Sequence, residues 1–269
     1  MVLDFIKMSG AGNDFIIADN REQKFQFTSA QAVRICDRHR GVGADGLMLL
    51  IPCASGKADW SWDFFNSDGS RAEMCGNGAR CFARYIQKRT GAADKITFET
   101  TAGIITAVFH GELVTINLTT PKDLRLNETV PLKGGATAIH SLNTGVPHAV
   151  VFVDDADKAM VQPTGAEVRY HAHFAPKGTN VNFVQRLGGN SIRVRTYERG
   201  VENETLACGT GVTASALIAS RTLQLTSPIQ VQVLGGDVLE VSFEEKNGGF
   251  ENVRLTGPAD FVFEGTIEI

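Results

Sequence analysis

ITFETTAGIITAVFHGELVTINLTTPKDL (96–124) and IQVQVLGGDVLEVSFEEKNGGFENVRLTGPADF (229–261) repeat one pattern. Each alternates apolar and polar residues between glycine-bearing turns, which is the period-two signature of antiparallel hairpins. The offset between the copies is 133 positions at the start and 137 after the longer turn at 246–249. Upstream of the first copy, Ala79, Phe82, Ala83 and Ile86 form one apolar helical face. Upstream of the second, GVTASALIAS (211–220) is small and apolar all round, as expected of a helix sheathed by sheet.

Further upstream, WSWDFFN (60–66) and SIRVRTYE (191–198) read as strands, and Cys75 and Cys208 stand 133 positions apart at the two helix starts. Strand, cysteine, helix and hairpins in one register indicate a duplication. Each half carries additions. The first has a helical segment at 29–40 and a strand at 47–51, and the second has about fifty residues after Leu124, including the apolar run AVVFV (149–153). The pattern predicts an α+β fold of two pseudo-symmetric lobes, each an antiparallel sheet wrapped around a central helix. The first lobe is expected over 1–118, with a strand at 260–269 returning to it, and the second over 119–259.

Composition narrows the function classes. Hydrophobic residues are 43% and charged residues 21% of 269, which is globular rather than disordered. A net charge of −4 gives no electrostatic reason to propose nucleic acid, and no apolar run approaches the roughly 18 residues of a membrane helix. The first seven residues include Asp4 and Lys7 and lack the core of a signal peptide. Five irregularly spaced cysteines are no disulfide scaffold. The expectation is a soluble, cytoplasmic protein that meets neither nucleic acid nor membrane. Twenty-eight glycines exceed the average share, so many backbone positions need unusual dihedrals or close approach.

Several motifs resolve to structure. GVGADG (41–46) matches a dinucleotide fingerprint, but a helix precedes it and a strand follows, the reverse of the required order. It reads as a tight turn at a helix C-terminus. Cys36 with His39, and His171 with His173, lack partner pairs at zinc spacing, so no metal site is expected. Cys36, Cys53 and Cys81 read as small core hydrophobes, and the HxH as a solvated loop.

EMCGNGAR (73–80) and LACGTGVT (206–213) differ in kind. Each sets a cysteine where a turn feeds a helix, beside unpaired backbone N–H groups and the positive end of the helix dipole. That setting favours a thiolate, while Gly76 with Asn77 and Gly209 with Thr210 form carboxylate-binding nests. Two opposed thiols suit inversion at an acidic carbon: one removes a proton and the other returns one on the opposite face, with the bound carboxylate as electron sink. This needs no cofactor, and no lysine is marked out for a pyridoxal Schiff base. Such thiols across one small site also predict a reversible Cys75–Cys208 disulfide on mild oxidation.

KMSGAGNDF (7–15), GVGADGL (41–47), NSDGSRAEMCGNGARCFARY (66–85), PHAVVFV (147–153), TNVNFV (179–184) and YERG…ETLACGTG (197–211) together resemble the diaminopimelate epimerases over nearly the whole chain. The resemblance implies facing lobes, a homodimer, and interconversion of LL- and meso-diaminopimelate for lysine and peptidoglycan synthesis. It marks Cys75 and Cys208 as catalytic thiols. Glu198 stands for the family glutamate near the reacting ammonium, and His148 for the histidine that pairs with it to tune the thiol pKa, so both count with the catalytic residues. Asn13, Asn66, Asn180 and Arg199 stand for residues that fix the substrate. Proline racemases share the architecture but carry histidine where Asn77 stands.

Three positions depart from the pattern: Val146 before Pro147–His148, Gly46 where some members have Gln, and a stretch at 201–204 one residue longer than usual. These bear on recognition of the distal substrate end. They keep open the same chemistry on another amino acid such as proline or glutamate. A Cys208–His148 hydrolase leaves the second cysteine unexplained, and an amino-acid-binding protein without catalysis is the remaining alternative.

Overall fold

The computed structural model describes residues 2–72, 74–92 and 94–269; Glu73, two residues before the first CGxG motif, lies outside them. The chain forms two compact units, one running to Ile116 and taking up Gly257–Ile269, the other Asn117–Thr256.

The first unit holds β1 (Val2–Gly10), β2 (Asn13–Asp19), α1 (Ser29–Cys36), β3 (Gly46–Pro52), β4 (Trp60–Asn66), α2 (Gly76–Thr90), β5 (Lys95–Thr100), β6 (Gly103–His110) and β7 (Leu113–Asn117), with β17 (Asp260–Glu268) antiparallel to β1. The second holds β8 (Lys122–Leu132), β9 (Gly135–Asn143), β10 (Pro147–Phe152), α3 (Val161–Arg169), β11 (Asn180–Arg186), β12 (Ser191–Glu198), β13 (Asn203–Thr205), α4 (Gly209–Leu223), β14 (Ile229–Val233), β15 (Val238–Lys246) and β16 (Gly249–Pro258).

The duplication extends well beyond the hairpins that betray it. From β1 to β7 the joins run antiparallel, parallel, antiparallel, parallel, antiparallel, antiparallel. From β9 through β10, β11, β12, β14, β15 and β16 the same order recurs. The parallel joins fall where a helix lies between the strands, because a crossover is needed to return the chain in the same direction. Thus α1 and α3 correspond, as do α2 and α4. The apolar spacing of Val161, Gly165 and Val168 carries α3, which the pattern reading left inside an unassigned stretch.

The two central helices are enclosed for different reasons. Trp62, Phe64, Phe82 and Phe98 pack edge to face around α2. In α4 the residues are small, and the Thr213 and Ser215 hydroxyls donate to the carbonyls of Gly209 and Gly211, so their polarity is satisfied inside the helix. The helix expected over 29–40 stops at Cys36. Asp37 is extended, and its carboxylate accepts from the His39 and Arg40 N–H groups, drawing the chain into a turn. The glycine loop that follows wraps the end of α1, with Val42 and Gly43 donating to the Ile35 carbonyl. A Cβ on Gly41 would lie 2.1 Å from the Arg34 carbonyl oxygen, so this glycine serves close packing.

Cys36 and Cys81 lie in the core, where burial pushes each thiol up to about 12. Cys53 departs from the core expectation. It is half-buried beside Ser55 and donates to the Glu99 carboxylate at 3.3 Å, because the chain leaves the sheet at Pro52. The HxH stretch enters a short 3-10 turn, Ala172–Phe174 capped by His171, rather than a plain loop, and His173 Nε2 lies 3.3 Å from the Glu128 carboxylate. Among the described residues no cluster of three His, Cys, Asp or Glu side chains could hold a metal. Among them, too, no helix is long and apolar enough to cross a membrane.

Candidate active site

In the first unit Cys75 is the N-cap of α2. Its sulfur accepts from the Gly78 N–H at 3.4 Å and lies 3.5 Å from Asn13 Oδ1, which also receives the Asn77 amide at 3.5 Å. Asn13 is turned this way because its Nδ2 donates to the Asp45 carboxylate. Asp45 is bridged by Arg38 to Asp14, and Asp14 to the buried Lys7. Burial raises the Asp14 carboxyl, but bonds from Arg38 and Lys7 outweigh it and hold the group at about 2. A chain of charges thus fixes one asparagine against one thiol.

Arg80, fully buried one turn into α2, donates to Asn77 Oδ1 at 3.0 Å, the Gly76 carbonyl at 3.3 Å and the Pro258 carbonyl at 3.2 Å. It locks the backbone and side chain of the first nest. Asn66 closes a tight turn, its amide donating to Ser70 Oγ at 3.0 Å. Gly46 stands opposite Asn66 across the sheet, and a Cβ there would come within 2.6 Å of the Phe64 ring. A longer side chain has no room at this place.

In the second unit Cys208 begins α4 and is 8% exposed. Thr210 Oγ1 lies 3.5 Å from its sulfur and 3.0 Å from His148 Nε2. On the other side of the ring, Asn182 Nδ2 meets His148 Nδ1 at 3.2 Å. Burial, with the Arg199 charge adding, brings His148 down to about 3, so the imidazole is neutral. The Thr144 hydroxyl donates to the Thr210 carbonyl at 2.9 Å, tying the turn that contains Val146 to the helix start. Asn180 braces that region. Its Nδ2 donates to the Pro147 carbonyl, and its Oδ1 accepts the Arg199 N–H at 2.8 Å. Glu198, at the end of β12, accepts from the Thr205 hydroxyl at 2.9 Å. Within the stretch 201–204, the backbone of Glu202 sits at φ 57° and its carboxylate receives Arg169.

Two half-sites are therefore visible. Cys75, Gly76, Asn77 and Asn13 meet in one unit; Cys208, Gly209, Thr210 and His148 meet in the other. Pattern reading passed over Asp45, Arg80 and Asn182. Asn182 was within reach of it: two residues after Asn180 on a strand, it shares a face with it, and a second buried asparagine there needs partners. Each half-site offers helix N-terminal N–H groups to a carboxylate and a thiol beside them. A thiol so placed can exchange a proton with an acidic carbon.

The sequence profile described as diaminopimelate epimerase matches residues 5–122 and 140–262. A diaminopimelate epimerase of Aquifex aeolicus (strain VF5) is 44% identical over 276 residues, covering 98% of each chain. The enzyme of that name from Archaeoglobus fulgidus is 41% identical, covering 100% of this chain and 98% of its own. Among solved structures, a Bacillus anthracis phenazine biosynthesis protein of the PhzF family superposes with a TM-score of 0.77 at 16% identity, covering 100% of both chains. A hydroxyproline epimerase from Agrobacterium vitis superposes with 0.73 at 15% identity, covering 99% of this chain and 92% of its own. These structures share the fold.

Proposed function

The chain belongs to the diaminopimelate epimerase family, an isomerase family with a small-molecule substrate, and from that premise we propose a two-thiol epimerisation of LL- and meso-diaminopimelate. One of Cys75 and Cys208 removes the Cα proton as thiolate and the other, as thiol, delivers a proton to the opposite face; the roles exchange in reverse. The nests at Gly76–Asn77 and Gly209–Thr210 hold the reacting carboxylate, where charge grows in the transition state. Asn13, Asn66, Asn180, Glu198 and Arg199 orient the rest of the substrate, and His148 acts through Thr210. The reaction uses no cofactor, and the working form is a cytoplasmic homodimer.

The observation that carries this reading is the duplicated CGxG turn, each copy setting a thiol at the N-terminus of its unit's central helix. Incubation with diaminopimelate in deuterated water, without added cofactor, is expected to place deuterium at Cα and to interconvert the isomers. Cys75→Ala and Cys208→Ala are each expected to lose about 10³-fold or more in epimerisation, followed by chiral chromatography. Undiminished turnover in either variant refutes the two-thiol scheme. Turnover of proline or glutamate in place of diaminopimelate would move the same chemistry to another amino acid.

A further inference from the structure

We infer that Asn182 is a positioning residue for the Cys208 thiol: its amide holds the His148 ring with the proton on Nε2, so that the Thr210 hydroxyl accepts from the ring and points its own proton at the sulfur. The direction of every bond in this chain follows from one group that can only accept. The Ala149 carbonyl oxygen lies 3.0 Å from Asn182 Nδ2, which places the amide nitrogen on that side. The second Nδ2 proton then faces His148 Nδ1 at 3.2 Å, while Oδ1 accepts the Thr196 hydroxyl at 2.9 Å. Nδ1 must present its lone pair, and a neutral imidazole with a bare Nδ1 carries its proton on Nε2. That proton goes to Thr210 Oγ1 at 3.0 Å. Having one proton and an incoming bond, the hydroxyl turns its proton to Cys208 Sγ at 3.5 Å, where it favours the thiolate.

The packing is built for this arrangement. A Cβ on Gly211 would fall 2.4 Å from Asn182 Oδ1 and 3.3 Å from His148 Cε1, so the second glycine of CGTG admits the pair against the helix. Other titratable groups on the packed elements are engaged elsewhere. His140 of β9 accepts from the Asn127 N–H, Arg193 and Arg195 of β12 reach Asp157 and Glu204, and Glu198 receives Thr205. Tyr197 lies in the core beneath α3, and the buried side chains of β14 and β15 are apolar. The charge that acts on His148 is Arg199.

That Cys208 works on substrate rests on the function proposed above; the tautomer and the thiol's acidity do not, and both are measured on the full chain without substrate. Nitrogen-15 histidine spectra are expected to show neutral His148 protonated on Nε2. Asn182→Asp can accept but not donate at Nδ1, so the tautomer inverts and Thr210 surrenders its proton to the ring. The pH midpoint of Cys208 alkylation, read on its own peptide by mass spectrometry, should then rise by about one unit. Thr210→Val should raise it similarly with the tautomer kept, and Thr210→Ser should restore it. The threonine pair carries the test if Asn182→Asp fails to fold. A wild-type Nδ1–H tautomer, or an unmoved Cys208 midpoint in folded Thr210→Val, overturns the inference whatever substrate the enzyme turns over.

Discussion

The two thiol-bearing helix starts rest on different beds. Phe15 faces Gly46 across the parallel β2–β3 pair, and His148 faces Asn180 across the parallel β10–β11 pair. Two residues further along lie Met48 and Asn182. In the first unit Phe15 and Met48 lie against Gly78; in the second, His148 and Asn182 lie against Gly211. The two copies share the geometry, a glycine with two side chains pressed on it, but one bed is apolar and the other polar. The sulfur on the apolar bed is served from the side by Asn13 and the charge chain behind it. The sulfur on the polar bed is served from beneath through Thr210. Two copies of one turn have become chemically unlike while remaining geometrically alike.

The sharpest way to break this comparison is to fill the glycines. Gly211→Ala forces a methyl into an asparagine held by three bonds and is expected to cost about 3 kcal/mol in chemical denaturation. Gly78→Ala meets the terminal Met48 methyl at 2.2 Å, a flexible group that can turn aside, and should cost about 1 kcal/mol. Equal losses would mean the beds do not differ in rigidity.

Acid separates the two beds as well. His148 has its folded value pulled to about 3, below the ordinary 6.5. Between those values the unfolded chain binds the proton and the folded one does not, so stability falls as pH drops from 6.5 toward 3, by up to about 1.4 kcal/mol per unit. His148→Gln should flatten that slope in urea midpoints taken across the window. Asp14, held at about 2, acts in a lower window. Its contribution is present above 3.8 and is lost as pH falls through 2, so Asp14→Asn should lower stability above 3.8 and flatten only the more acid limb. An effect as small as that of Gly78→Ala is expected of Thr144→Val, which removes the hydroxyl tie to the Thr210 carbonyl and should cost about 1 kcal/mol in the same assay.

Much of this was legible in the residues. Alternation over 96–124 and 229–261 yields hairpins because a strand's side chains change face at every residue. The strands at 60–66 and 191–198 fall where their apolar spacing puts them. Cysteine before Gly-x-Gly marks a helix start because the exposed N–H groups there need a partner and the glycines leave them open. The parallel joins, by contrast, follow from crossover helices, and α3 was hidden by a mere nine residues of weak apolar spacing. Cys53 looked like a core residue until the chain's exit from β3 set it beside Glu99.

What the sequence determined by itself was the duplication, the α+β class and the identity of the two turns, because these depend on local periodicity and on spacing along the chain. What tertiary structure decided was how each turn is tuned. Asp45 reaches Asn13 from 32 positions away, and Asn182 reaches His148 from 34. A hydrogen bond's direction depends on which groups the fold brings within about 3 Å, and no periodicity encodes that.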